Sequence, residues 1–343
     1  WSTPSQINNP ANRSAGGDIC IGPNGEVYVC WAGVTETSPF KEIHVGFASS
    51  ADGGQSWNVT ENAFSVNGIT GILPSKGNIR VNGLPGIDVD TKGGDRHGWI
   101  YIVTGQKELS PAGNDPDIIL HRSEDGGQGW SDAIRVNQDA INNGKIQYFP
   151  SVHIDKFGAV DIIYYDDRNT SPDSCAVFMN RSLDGGDSWN EYEISDHNYK
   201  PEPIGGLGQG YQGDNIDLTS TETTIWPVWM DNSTGIYQVW TVPVEFTSLD
   251  GMNESQLSQV EILNIPNPFK SMTTIRYQMP DAGYRIIKIY DMYGRIVKEI
   301  DREYLSAGQY EVKVDMTGRK TGVYYYSITV NSLTKIGKMI LLE

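Results

Sequence analysis

Ser50-Ala51-Asp52-Gly53-Gly54-Gln55-Ser56-Trp57, Ser123-Glu124-Asp125-Gly126-Gly127-Gln128-Gly129-Trp130 and Ser182-Leu183-Asp184-Gly185-Gly186-Asp187-Ser188-Trp189 are three copies of one octapeptide. The paired glycines permit a tight turn at positive φ, and the aspartate side chain can accept backbone N–H groups inside that turn. The tryptophan then opens the next strand as a packing anchor. Each copy therefore predicts a hairpin corner, with Asp52, Asp125 and Asp184 as turn-holding residues.

The sequence before each corner repeats a second pattern, of a short apolar strand, a turn with glycine, a longer β-rich strand, a polar loop and the strand that enters the octapeptide. Ser151–Ile154, Asp155–Gly158, Val160–Tyr165 and Ala176–Asn180 form one such unit, and Ile19–Ile21, Gly22–Gly25 and Val27–Trp31 begin another. A fourth, with Asn215–Leu218, Thr224–Trp229 and Tyr237–Trp240, has no octapeptide. The octapeptide closely resembles the Asp-box (BNR repeat) of sialidase-like β-propellers. That resemblance implies an all-β fold, with four blades visible over residues 1–246. The boxes stand farther apart than the roughly 40–50 residues of compact propeller repeats, so long loops are expected between them. Trp1–Asn8 has the length and ending of Trp130–Asn137. The expectation is a chain that begins inside a blade, as part of the six-bladed ring usual in that family. The alternative is a closed ring of four in which residues 1–8 supply the strand that the fourth unit lacks.

Composition limits the function. The 343 residues suffice for two domains, and 38 Gly, 18 Tyr and 9 Trp suit an all-β protein of many turns. A net charge of −17 argues against nucleic acid and anionic membrane as partners. No apolar stretch approaches the roughly 20 residues of a membrane span. Cys20, Cys30 and Cys175 read as buried apolar fillers, since a three-residue loop after Gly22 would set Cys20 opposite Tyr28 and leave Cys30 out of register for a disulfide. The five histidines show no metal-ligand spacing, and no metal or cofactor is expected, with structural calcium at Asp115 and Asp117 or at Asp166 and Asp167 as the exception considered.

A polar, Ser-rich stretch at 247–261 reads as a linker. Beyond it, Asn267-Pro268-Phe269, Thr273–Tyr277, Ile286–Arg295, Gly308–Tyr310, Gly322–Tyr326 and Lys338–Leu342 spell six or seven strands in a small β-sandwich of immunoglobulin-like type. Their order and content over 262–343 resemble the type A C-terminal sorting domain of the type IX secretion system. The resemblance implies a Bacteroidota-type bacterium and a secreted or outer-surface location. It also implies a translocon and a sortase-like peptidase as partners.

In an antiparallel blade the first and third turns share one end. The boxes, as third turns, are expected to face away from the ligand funnel. The second-to-third loops and the blade connectors then supply Asp167, Arg168, Asp231, Arg80, Tyr148, Tyr211 and Asp214 as the candidate ligand face. A sialidase needs three arginines on a carboxylate, a Tyr nucleophile beside Glu, and an Asp acid/base. The Arg-Ile-Pro segment that opens that family's domain is missing here, and an ion pair within the loop competes with a ligand role for Asp167 and Arg168. Three functions remain: a propeller binding a glycan or other extracellular polymer, a sialidase-like exo-glycosidase, and a structural or adhesive surface module.

Overall fold

The computed structural model describes residues 3–205, 210–246, 262–279, 283–291, 295–330 and 333–342. The chain divides into two compact units, Trp1–Glu245 and Phe246–Glu343. Trp1 and the 247–261 stretch lie outside the described residues.

In the first unit the repeated pattern becomes a series of antiparallel sheets. The first holds β1 (Ser14–Ile21), β2 (Val27–Val34), β3 (Glu42–Ser50) and β4 (Asn58–Ser65), hydrogen-bonded in chain order. A small hairpin of β5 (Gly71–Leu73) and β6 (Ile79–Val81), with a 3-10 turn at Pro74–Lys76, interrupts the connection to the second sheet. That sheet holds β7 (Gly86–Val89), β8 (Ile100–Gln106), β9 (Asp117–Ser123) and β10 (Ile134–Arg135). The third holds β11 (Gln147–Ile154), β12 (Val160–Asp166), β13 (Ala176–Ser182) and β14 (Asn190–Glu193). The fourth has β15 (Asp217–Ser220), β16 (Thr224–Asp231), β17 (Gln238–Thr241) and β18 (Val244–Glu245). β17 and β18 pair with β16 in one continuous register. They are one strand, broken at Pro243, which has no N–H for the ladder.

The first strands β1, β7, β11 and β15 are successive neighbours, so the sheets are blades arrayed about them, which is the propeller arrangement. Strands β8, β12 and β13 are buried at every position, because each has a blade on both faces. One core cluster joins Tyr28, Cys30 and Phe47 of the first blade to Ile87, Val89, Ile100 and Ile102 of the second. Another joins Tyr101, Val103 and Leu120 of the second to Ile162, Tyr164 and Phe178 of the third.

All three boxes connect third and fourth strands. In the first, the Ser50 hydroxyl accepts Gly54 N–H at 2.8 Å and donates to Asp52 at 2.8 Å, while Asp52 accepts the N–H groups of Gln55 and Ser56 at 2.9 Å each. Ser123 and Asp125 do the same for Gly127, Gln128 and Gly129, and Ser182 and Asp184 for Gly186 and Ser188. Gly127 (φ 90°) is also where blades meet: a Cβ there would lie 2.1 Å from the Phe47 ring of the preceding blade. Trp130 stands edge-on to that ring, with centroids 5.3 Å apart.

Residues 3–8 carry no strand. One expectation needs correction. Cys20 sits opposite Tyr28 as expected, yet it is half-buried; Cys30 and Cys175 are buried, and all three are free thiols.

The second unit packs two sheets around one core. β19 (Ile262–Ile265), β20 (Met272–Met279) and β23 (Gly308–Asp315) form one. β22 (Ile296–Leu305), β21 (Gly283–Tyr290), β24 (Gly322–Val330) and β25 (Leu333–Leu341) form the other. Ile275, Tyr277 and Val314 from the first meet Ile287, Ile289, Tyr326, Met339 and Leu341 from the second. The result is a seven-stranded sandwich among the described residues.

Candidate functional site

The end of the propeller opposite the boxes carries the second-to-third loops and the connectors between blades, and the candidate residues lie there. The connector after β4 crosses this end with its hairpin and reaches the third blade. Lys76, at the tip, has a fully buried side chain. Its ammonium donates to the Asp167 carboxylate and to the carbonyls of Pro172 at 2.6 Å and Ser174 at 3.0 Å. All three protons are used. Ile146 N–H donates to the other Asp167 oxygen at 2.7 Å, and Lys145 Nζ donates to the Asp167 carbonyl at 2.9 Å. Gly77, in the left-handed region at φ 62°, then lets the chain pass the Pro201 carbonyl, which a Cβ would approach to 2.7 Å.

Arg168, next in the loop, turns into the blade. Its backbone N–H and Nε donate to Asp166 at 2.7 and 2.8 Å, Nη1 donates to Glu191, and the guanidinium lies 4.6 Å from the Phe178 ring centroid. Asp139 approaches to 3.8 Å. Burial works against the charge, but Asp166, Tyr164 and Glu191 outweigh it and hold Arg168 above arginine's ordinary pKa. The ion pair is therefore with Asp166 rather than Asp167.

Tyr148 is fully buried. Its hydroxyl donates to Gln212 at 3.1 Å, and Gln212 donates to Tyr199 at 3.0 Å. Cys175 Sγ lies 3.4 Å from the same Tyr148 hydroxyl. Burial drives the tyrosine pKa values well up and that of Cys175 to about 12, so these groups are neutral. Asp231 is buried too, accepting from Trp229 Nε1 at 2.9 Å and Ser233 N–H at 3.0 Å, with His197 Nε2 at 3.1 Å. Burial lowers the His197 pKa, but hydrogen bonds to Asp196 and Asp231 outweigh it and raise the value.

Arg80, Tyr211 and Asp214 are the half-exposed members of the set. Arg80 lies over the Tyr211 ring with 4.8 Å to the centroid, and its backbone N–H donates to the Gly210 carbonyl at 2.8 Å. The structure thus brings Arg80 and Tyr211 together from two connectors. It ties Asp167, Arg168, Asp231 and Tyr148 into internal contacts. Sequence reasoning missed Lys76, Glu191, Asp139 and Gln212, because nothing local in the sequence marks a long-range partner. A lysine after Leu-Pro-Ser in a polar connector looks exposed.

Of the four carboxylates considered for calcium, Asp115 accepts Gly144 N–H at 2.6 Å through one oxygen while its other, buried oxygen has no hydrogen-bond partner, and the other three meet protein donors. Asp117 accepts from Gly113 N–H at 2.7 Å, Arg135 Nε at 2.8 Å and Asn137 Nδ2 at 2.8 Å, while Asp166 and Asp167 face Arg168 and Lys76. Among the described residues no group of three His, Cys, Asp or Glu is placed to hold a metal ion. No described helix is long and apolar enough to cross a membrane.

Residues 265–342 match the family described as the secretion system C-terminal sorting domain. The protein is accordingly a secreted or surface protein exported by the type IX secretion system, with a propeller as cargo. No curated protein matches the chain. Among solved structures it is similar to an α-L-arabinanase of Penicillium chrysogenum, at 14% identity and TM-score 0.43, covering 99% of this chain and 96% of that one. It is also similar to a leech intramolecular trans-sialidase, at 11% identity and TM-score 0.45, covering 99% and 70%. A protein of unknown function from Dyadobacter fermentans matches at 12% identity and TM-score 0.40, covering 100% and 80%.

Proposed function

We propose that the propeller binds a glycan or similar polyhydroxylated extracellular polymer without cleaving it, and that the sorting unit delivers it to the cell exterior. The observation behind this reading is the half-exposed Arg80–Tyr211 stack, with 4.8 Å from guanidinium to ring centroid. An aromatic ring beside polar groups suits a polyhydroxylated ligand. The glycosidase alternative asks for arginines to clamp a carboxylate and a tyrosine activated by Glu. Arg168 is neutralised by Asp166 and Glu191, Arg181 is held by Asp155 and Asp161, and Arg122 bonds the third box through Gly185 and Asp187. Tyr148 is buried against Gln212 and Cys175 instead of a carboxylate.

A glycan array followed by calorimetric titration tests this. The parent should bind a neutral or acidic oligosaccharide, and Tyr211→Ala should weaken that affinity about tenfold, equivalent to about 1.4 kcal/mol, with unchanged melting. Release of free sugar from the bound oligosaccharide would replace binding by hydrolysis. An array with no bound glycan would leave the structural or adhesive reading.

A further inference from the structure

The segment Asn267-Pro268-Phe269 runs beside the last strand, β25, and its contacts give it a task the fold alone does not explain. One edge of β25 pairs with β24 along its length, from Gly322 with Leu341 to Val330 with Leu333. The other edge, over 338–342, is covered by 267–269. Phe269 contributes backbone: its N–H donates to the Ile340 carbonyl at 2.9 Å, Leu342 N–H donates to its carbonyl at 2.7 Å, and it bridges Leu341 in parallel. In a parallel ladder every second residue faces the partner, so the next rung falls on residue 267, and there the Lys338 carbonyl and Ile340 N–H are met by a side chain and not by backbone.

The side chain of Asn267 takes over. Its Nδ2 donates to the Lys338 carbonyl at 2.9 Å, and its Oδ1 accepts Ile340 N–H at 2.9 Å. A carboxamide has the donor and acceptor of a peptide group, so it serves as one more rung of the ladder. Its orientation is set from behind: Nδ2 also donates to Asn264 Oδ1 at 3.2 Å, and buried Asn264 donates to Thr273 at 3.4 Å. Phe269, 3% exposed, anchors the segment in the core.

We infer that Asn267 is a positioning residue for export, a side-chain clip that holds the C-terminal strand in the paired form the secretion machinery handles. This rests on residues 265–342 acting as the sorting unit. Asn267→Asp is the sharp variant, being isosteric. It keeps one acceptor for Ile340 N–H but sets a second carboxylate oxygen against the Lys338 carbonyl and Asn264 Oδ1, where two N–H donors stood.

The test uses the full chain, with two readouts. Hydrogen exchange in purified Asn267→Asp should speed up about tenfold or more over 338–342, with protection of β20 and β21 kept. In a bacterium with type IX secretion, the surface fraction of the same variant should fall at an unchanged cellular level. Asn267→Gln, which keeps the amide but displaces it by one methylene, should fall between parent and Asp in both. Unchanged exchange over 338–342 overturns the clip. Faster exchange with normal export overturns its role in sorting, and the Gln variant decides this if the Asp variant loses protection throughout the unit. A deletion of 262–343 that is still exported would instead sink the sorting reading itself, which keeps the two failures apart.

Discussion

Asp184 accepts from Ser188 N–H at 2.9 Å and from the hydroxyls of Ser182 and Ser188, all inside one turn. Burial pushes its pKa up, but these donors outweigh it and hold the carboxyl below its usual value. In Asp52 the Ser56 hydroxyl leads, and the value falls to about 2. A folded-state pKa below the unfolded one means the carboxylate stabilises the fold above about pH 3.9, and that contribution is lost as pH falls through the lowered folded value. Asp184→Ala should therefore cost about 1–3 kcal/mol at neutral pH through the lost acceptor. Denaturant unfolding of parent and variant checks this, and the gap between them should narrow as pH falls from about 4 towards 2. A gap that stays constant over that range would mean the cost comes from the backbone of the turn and not from the charge.

At the scale of elements, the strands were legible because their signals are local. The glycines and aspartates of the boxes set three corners, and Val160–Tyr165 reads as β whatever lies beyond it. The missing box in the fourth unit was equally visible, and there the third strand is followed by no box hairpin. What could not be read was the traffic between elements. The sequence places Asp167 and Arg168 in a second-to-third loop, which is correct, but a loop at the right end still has to choose between solvent and neighbours. The choice was made by Lys76, 91 positions away in sequence, and by Glu191 on the outer strand. That choice has a measurable size. Lys76→Ala leaves Asp167 buried without its main counter-charge and should destabilise by about 3–5 kcal/mol. In a double-mutant cycle, Lys76→Ala with Asp167→Ala should cost clearly less than the sum of the single changes. Additive costs would mean that the carbonyls of Pro172 and Ser174, not the carboxylate, hold the ammonium.

At the scale of the molecule the two units differ in charge as well as in fold. Residues 1–246 carry 14 Lys and Arg against 32 Asp and Glu, whereas residues 262–343 carry 12 against 8. Among the described residues, the second unit has a core cluster of its own, running from Phe269 to Leu341. Separate cores predict separate unfolding steps, so calorimetry of the full chain should show two transitions, and a protein ending at residue 246 should keep one of them. The charge distinguishes which is which. An excess of negative charge repels itself, and raising salt from about 0.01 M to about 0.15 M shortens the screening length from about 30 Å to about 8 Å. The propeller transition should therefore move up with salt, while that of the mildly basic sorting unit should move less. A single transition, or two that shift together, would mean that the units stabilise one another and that the sorting unit is part of the working propeller rather than a separable passenger.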